Sequence, residues 1–174
     1  MTDENLYQLA ERVGQALKAK GMMMATAESC TGGWIAQAMT AVPGSSEWFE
    51  RGFVVYTYIS KREMLGVKPE TLEAHGAVSL ETVREMTAGA LERSHAQVAV
   101  SVSGTAGPSG GTPQKPVGTV CFAWAMPSDA GPTLGASSAW VKTQTCHFQG
   151  DRAAVRLATQ AHAQGPRGRR EDRA

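Results

Sequence analysis

The chain has 174 residues, 42% of them hydrophobic and 19% charged, which is the balance of one globular domain with a full core. A formal net charge of +1 sets up no global field toward nucleic acid or membrane, and no apolar run approaches the roughly 20 residues of a membrane span. Cys30, Cys121 and Cys146 lack pair spacing, against a disulfide framework or a zinc site, and Met1 to Asn5 carry two acids and no base, unlike a signal peptide, so the expected compartment is reducing cytoplasm.

Residues 3–20 read as an amphipathic helix, with Leu6, Leu9, Ala10, Val13, Ala16 and Leu17 on its apolar face, Thr2 or Asp3 as cap and Gly21 as stop. Residues 22–27 form a short apolar run that reads as a buried strand. The segment Glu28 to Gly33 then turns it into a helix whose apolar face is Trp34, Ile35, Ala38, Met39 and Val42, ended by Pro43-Gly44. Phe53 to Tyr56 has strong strand character, and short helices are expected over Ser60 to Leu65 and Pro69 to Ala74. Ser79 is expected to cap a helix over 80–94, followed by a buried strand over Val98 to Val102 and a glycine- and proline-rich loop over 103–116. Val117 to Ala125 and Ala139 to Phe148 read as a final antiparallel hairpin, and Asp151 opens a last helix with Val155 and Leu157 inside. This alternation is α/β, with one domain over 1–163 and a disordered basic tail over 164–174.

Four places carry residues suited to chemistry. Ser29 sits where a strand turns into a helix, a corner expected to be exposed, beside the first amides of that helix, which lack intrahelical acceptors and suit an oxyanion. Gly32 and Gly33 allow a ligand close to the backbone; the alternative is that Ser29 or Thr31 only caps the helix. Cys30 is a rival nucleophile, because a helix N-terminus lowers a thiol pKa, but His75, His95, His147 and His162 are scattered and none stands in a motif as its base. That absence favours a serine–lysine pair. Tyr56, placed at a strand end, and Lys61 five residues on face the same cleft as Ser29 if their strands are neighbours, although a solvated Lys61-Arg62 pair is the simpler alternative. Lysine acts as a base only when desolvation or a dipole brings its pKa down from about 10.4. The loop with Gly104, Thr105, Gly107, Pro108, Gly110 and Gly111 follows a buried strand, where amides can form an anion nest, and it fits neither a Walker loop nor a dinucleotide fingerprint. Arg152 can clamp a phosphate or carboxylate, with Asp151 as N-cap.

Taken together, TAESCTGG at 26–33, GFVVY at 52–56 with Lys61, GAVS at 76–79, SVSGTAGPSGG at 101–111, KPVGTV at 115–120 and GDR at 150–152 resemble the CinA C-terminal family, in order and nearly to Leu157. The stand-alone members of that family are nicotinamide-nucleotide amidases. The resemblance implies a three-layer αβα sandwich around a mixed sheet, and hydrolysis of nicotinamide mononucleotide to nicotinic acid mononucleotide and ammonia. It also implies no metal or organic cofactor, and homo-oligomers; the near-neutral charge and the lack of a basic, aromatic-lined face are what argue against a nucleic acid or membrane partner. It places the nucleophile on Ser29 and its partners on Tyr56 and Lys61. The amides of Cys30, Thr31, Gly32 and Gly33, the 104–111 loop and Arg152 are then expected to bind substrate. Two features depart from the family's pattern. Residues 56–59 read Tyr-Thr-Tyr-Ile where the family reads Tyr-Ser-Asn-Glu, so Tyr58 and Ile59 are expected to retune Lys61 or reshape the pocket. The long apolar last helix is replaced by the basic tail, and an inactive or altered-substrate nucleotide-binding module is the rival reading.

Overall fold

Five strands make one mixed sheet, ordered second, first, third, fourth and fifth by chain position, in a computed structural model that describes residues 3–127 and 139–164. The strands are β1 (Met24–Glu28), β2 (Phe49–Val54), β3 (Val98–Gly104), β4 (Thr119–Pro127) and β5 (Ala139–His147). β1 pairs in parallel with β2 on one side and β3 on the other, while β4 and β5 add antiparallel. All five β1 residues are buried, as a central strand covered on both faces requires.

Helices α1 (Asp3–Ala19), α2 (Trp34–Thr40) and α6 (Arg152–Gln164) pack on one face of the sheet. There Ala10, Leu17, Ile35, Met39, Phe122 and Val155 belong to a core shared with Val100 and Trp124. Helices α3 (Tyr58–Leu65), α4 (Pro69–His75) and α5 (Leu80–Glu92) cover the other face around Val55, Leu65, Val83, Met86, Ala99 and Ala123. The result is the three-layer αβα arrangement with a mixed sheet. No helix among the described residues is long and apolar enough to cross a membrane.

Several boundaries differ from the sequence reading for identifiable reasons. The first strand spans 24–28 rather than 22–27, because it runs on to Glu28, whose charge masks a strand position. The second spans 49–54 rather than 53–56: its first half contains the paired Glu50 and Arg51, polar residues tolerated on an edge strand, and the chain leaves the sheet before Tyr56. α3 starts at Tyr58 because Thr57 and Ser60 form a reciprocal capping box there. β4 begins at Thr119, two residues late, since Gly118 adopts φ 95°. Ser79 and Asp151 do cap α5 and α6, accepting from the amides of Thr82 and Ala154. Ala16 is exposed and Leu157 only half-buried. The expected Thr2 cap and the tail beyond Gln164 lie outside the described residues.

α3, which carries Lys61, is seated by a close approach at Gly89. A Cβ there would stand 1.9 Å from the Leu65 carbonyl oxygen, so α5 can lie against the end of α3 only with glycine at this position. Replacing Gly89 with Ala forces these backbones apart and is expected to lower unfolding free energy by about 1–3 kcal/mol, the range of core overpacking. Urea denaturation measures it. A loss below about 0.5 kcal/mol would contradict the packing described.

Candidate active site

The C-terminal ends of β1 and β3 lie side by side, with the Ser29 amide donating to the Val102 carbonyl oxygen at 3.1 Å. Ser29 is the first residue past β1. It does not cap α2, and its corner is not exposed: the side chain is 7% accessible. Across the sheet face, Val55 leaves β2 and Thr57 starts α3, so that Lys61, one turn into the helix, points back beneath Val55. The Lys61 side chain is fully buried, and Nζ donates to Ser29 Oγ at 3.0 Å and to the Val55 carbonyl oxygen at 2.9 Å. No carboxylate among the described residues pairs with it. Burial therefore pulls its pKa down from 10.5 to about 8. The solvated-lysine alternative is excluded by this geometry.

Helix α2 has Gly33 at its N-cap, in the left-handed region at φ 97°, where glycine brings no capping side chain. The cap comes instead from Glu28, a fully buried carboxylate that the sequence reading assigned no role. Its Oε2 accepts from Thr31 Oγ1 at 2.7 Å, the Gly33 amide at 3.1 Å and the Ile35 amide at 3.0 Å, and its Oε1 accepts from the Ala36 amide at 2.8 Å. The negative charge sits where the helix dipole favours it. The expectation that the first amides of α2 face a substrate oxyanion is corrected accordingly. Gly33 is engaged by Glu28, and Gly32 donates to the Ser29 carbonyl oxygen. The amides of Cys30 and Thr31 donate to no protein oxygen among the described residues, and the Cys30 amide lies against its own Sγ. The signal for Glu28 was a lone charge closing an apolar strand, followed by a glycine where a helix needs a cap.

Arg156, also missed, fixes the same turn. It donates from Nε to the Cys30 carbonyl oxygen and from Nη2 to the Thr31 carbonyl oxygen, both at 3.0 Å, and its guanidinium lies 3.9 Å from the Trp34 ring. Because a trans peptide is planar with its C=O and N–H opposed, holding the Cys30 carbonyl toward α6 turns the Thr31 N–H the other way. One turn earlier on α6, Arg152 donates to the Gly107 carbonyl oxygen at 2.8 Å and to Tyr56 Oη at 2.9 Å. The spacing of two arginines four residues apart on one helix was available in the sequence.

The candidate residues thus fall into two groups joined by α6. Ser29 and Lys61 form a buried pair, while Tyr56, Arg152 and Gly107 form a second cluster with no hydrogen bond from Tyr56 to the pair. Tyr56 is 57% exposed. In the loop, Thr105 and Thr112 already donate their amides within the protein, Gly107 offers a carbonyl rather than an amide to Arg152, and Pro108, Gly110 and Gly111 are exposed. Gly104 ends β3, where a Cβ would meet Val120. Tyr58 and Ile59 are exposed and make no hydrogen bond with Lys61, so their departure from the family pattern falls outside the buried pair. Cys30 is buried, and loss of solvation raises its thiol pKa to about 12, leaving it protonated near neutrality.

Glu28→Gln leaves the shape but turns an amide donor toward the α2 donors, and a loss of about 2–3 kcal/mol in urea denaturation is expected. Glu47→Gln, which breaks only the exposed pair with Lys18, is expected to cost less than about 0.5 kcal/mol in the same measurement.

The sequence model of the CinA C-terminal domain matches residues 6–165. A protein of Escherichia coli (strain K12) named nicotinamide-nucleotide amidohydrolase PncC is 53% identical over 163 residues, covering 94% of this chain and 93% of that one. A protein of the same name from Pseudomonas putida is 49% identical over 152 residues, covering 87% and 88%. The crystal structure of competence/damage inducible protein CihA from Agrobacterium tumefaciens matches with a TM-score of 0.83 and 43% identity, covering 92% of both chains. With the fold, its motifs and nearly its whole length in common with these proteins, the chain belongs to the CinA C-terminal domain family.

Proposed function

We propose that this protein hydrolyses the carboxamide of nicotinamide mononucleotide, giving nicotinic acid mononucleotide and ammonia in pyridine-nucleotide salvage in the cytoplasm, with Ser29 as nucleophile and Lys61 as base. The observation that carries the mechanism is the 3.0 Å contact between Lys61 Nζ and Ser29 Oγ inside the protein. The substrate follows the names of relatives about half identical over most of their length.

In this reading neutral Lys61 accepts the Ser29 proton as Oγ attacks the carboxamide carbon. The tetrahedral oxyanion is held by the Cys30 and Thr31 amides, which donate to no protein oxygen; Arg156 fixes the Thr31 peptide plane through the Cys30 carbonyl oxygen, and the Gly32 amide fixes the Cys30 plane through the Ser29 carbonyl oxygen. The ammonium of Lys61 then returns its proton to the leaving nitrogen, ammonia departs, and water hydrolyses the ester on Ser29 to release the carboxylate. Val55 contributes its carbonyl oxygen as an orienting acceptor for Nζ. Arg152, already aligned by Gly107 and Tyr56, and the 104–111 loop bind the ribose phosphate, so Tyr56 serves the substrate rather than the proton transfer.

Ammonia release from nicotinamide mononucleotide by the native chain, Ser29→Ala and Lys61→Met tests this. Each variant is expected to lose at least about 1,000-fold in kcat. Because the base must be unprotonated and titrates near 8, kcat/KM of the native protein is expected to rise about tenfold per pH unit below that value and to level off above it. Binding of the nucleotide without turnover would support the rival module, and activity retained in Ser29→Ala but lost in Cys30→Ala would move the nucleophile to Cys30.

A further inference from the structure

A cavity lies at the end of the sheet away from Ser29. It has a volume of about 570 Å³, within the roughly 300–1,000 Å³ span of small-molecule sites. It opens beside Met24 at the start of β1, about 16 Å along the strand from Ser29 at roughly 3.3 Å per residue. Its floor is apolar, formed by Ile35, Met39, Val100 and Trp124, and its rim includes the half-exposed Trp140 and Met126, which face each other across the hairpin.

Two features indicate more than an unfilled apolar gap. Gln164, at the end of α6, lines the cavity with 9% exposure, and neither its Oε1 nor its Nε2 has a hydrogen-bond partner among the described residues. A buried amide with no partner is costly and marks a place where a polar group belongs. Lys20 and Lys142 also line the cavity, are exposed, and form no ion pair among the described residues.

We propose that this cavity binds an amphipathic small molecule with an apolar chain and a single anionic head, of the fatty-acid class. The chain covers Ile35, Met39 and Trp124. The head accepts from Gln164 Nε2 and lies in the field of Lys20 and Lys142. The site is separate from Ser29 and Lys61 and does not depend on the reaction assigned to them.

The test is calorimetric and Trp-fluorescence titration with sodium dodecanoate, kept below micelle formation. One saturable site per chain is expected, with Gln164→Leu weakening it at least fivefold and Lys20→Glu combined with Lys142→Glu at least tenfold. Dodecanol binding is expected to change less than twofold in the charge-reversed protein. Ala16→Trp projects from an exposed helical position into the cavity, so it is expected to abolish binding while circular dichroism stays native. Ammonia release is expected to be unaltered in all of these variants. The proposal is overturned by non-saturable uptake, by undiminished binding in Ala16→Trp, or by dodecanoate affinity insensitive to charge reversal. It is also overturned if sedimentation velocity finds a dimer of the native chain that Ala16→Trp dissociates, since a second copy would then occupy the cavity.

Discussion

Lys61 has its entire side chain inside the protein, with Ser29 Oγ and the Val55 carbonyl oxygen as partners and no carboxylate beside it. An ammonium in that position keeps few of its water contacts and gains no opposite charge, so the charged form loses ground to the neutral amine and the pKa falls to about 8. The same fact has a cost in stability. With a native pKa of about 8 against 10.5 for an ordinary lysine, unfolding takes up a proton throughout that interval. Native stability therefore rises with pH across it, by up to about 1.4 kcal/mol per unit, and is depressed at neutrality. A residue that served only stability would not be a lysine here.

The rest of the molecule holds that amine against one hydroxyl. α3 enters the core because its capping box starts it at Thr57 and because Gly89 lets α5 close over its end. β1 delivers Ser29 because it is central and buried on both faces. The turn after it is locked from two directions: Glu28 takes the helix amides from below, and Arg156 takes the two carbonyl oxygens from α6. The dipole of α2 is thereby neutralised by a side chain of the fold. Neither clamp uses the amides of Cys30 and Thr31.

Much of this was legible in the sequence because it was local. Helical periodicity, the Ser79 and Asp151 caps, and the strand–turn–helix around Ser29 depend on residues within a few positions of each other, and the meeting of Ser29 with Lys61 required only that β1 and β2 be neighbours. The failures came from long-range partners. Nothing near Glu50 and Arg51 in the chain announces an edge strand whose register is set by β1. Tyr56 was placed at a strand end facing the base, whereas a guanidinium 96 residues away holds its hydroxyl. Arg156 carries a charge that a local reading assigns to solvent, and its acceptors lie on a turn far away in the chain, whereas the donors to Glu28 lie within eight residues and its role was open to a local reading. The cavity beside Gln164 is likewise a product of seven elements, from α1 to α6, that only the fold brings together.

The most direct measurement is the titration of the lysine side chains by NMR with ¹³C-labelled Cε. The chain has six lysines. A single resonance titrating near pH 8, absent in Lys61→Met, with the other five titrating above pH 10, is the predicted result. Six ordinary titrations, with Lys61 among those above pH 10, would show an amine in water and would contradict a neutral base facing Ser29.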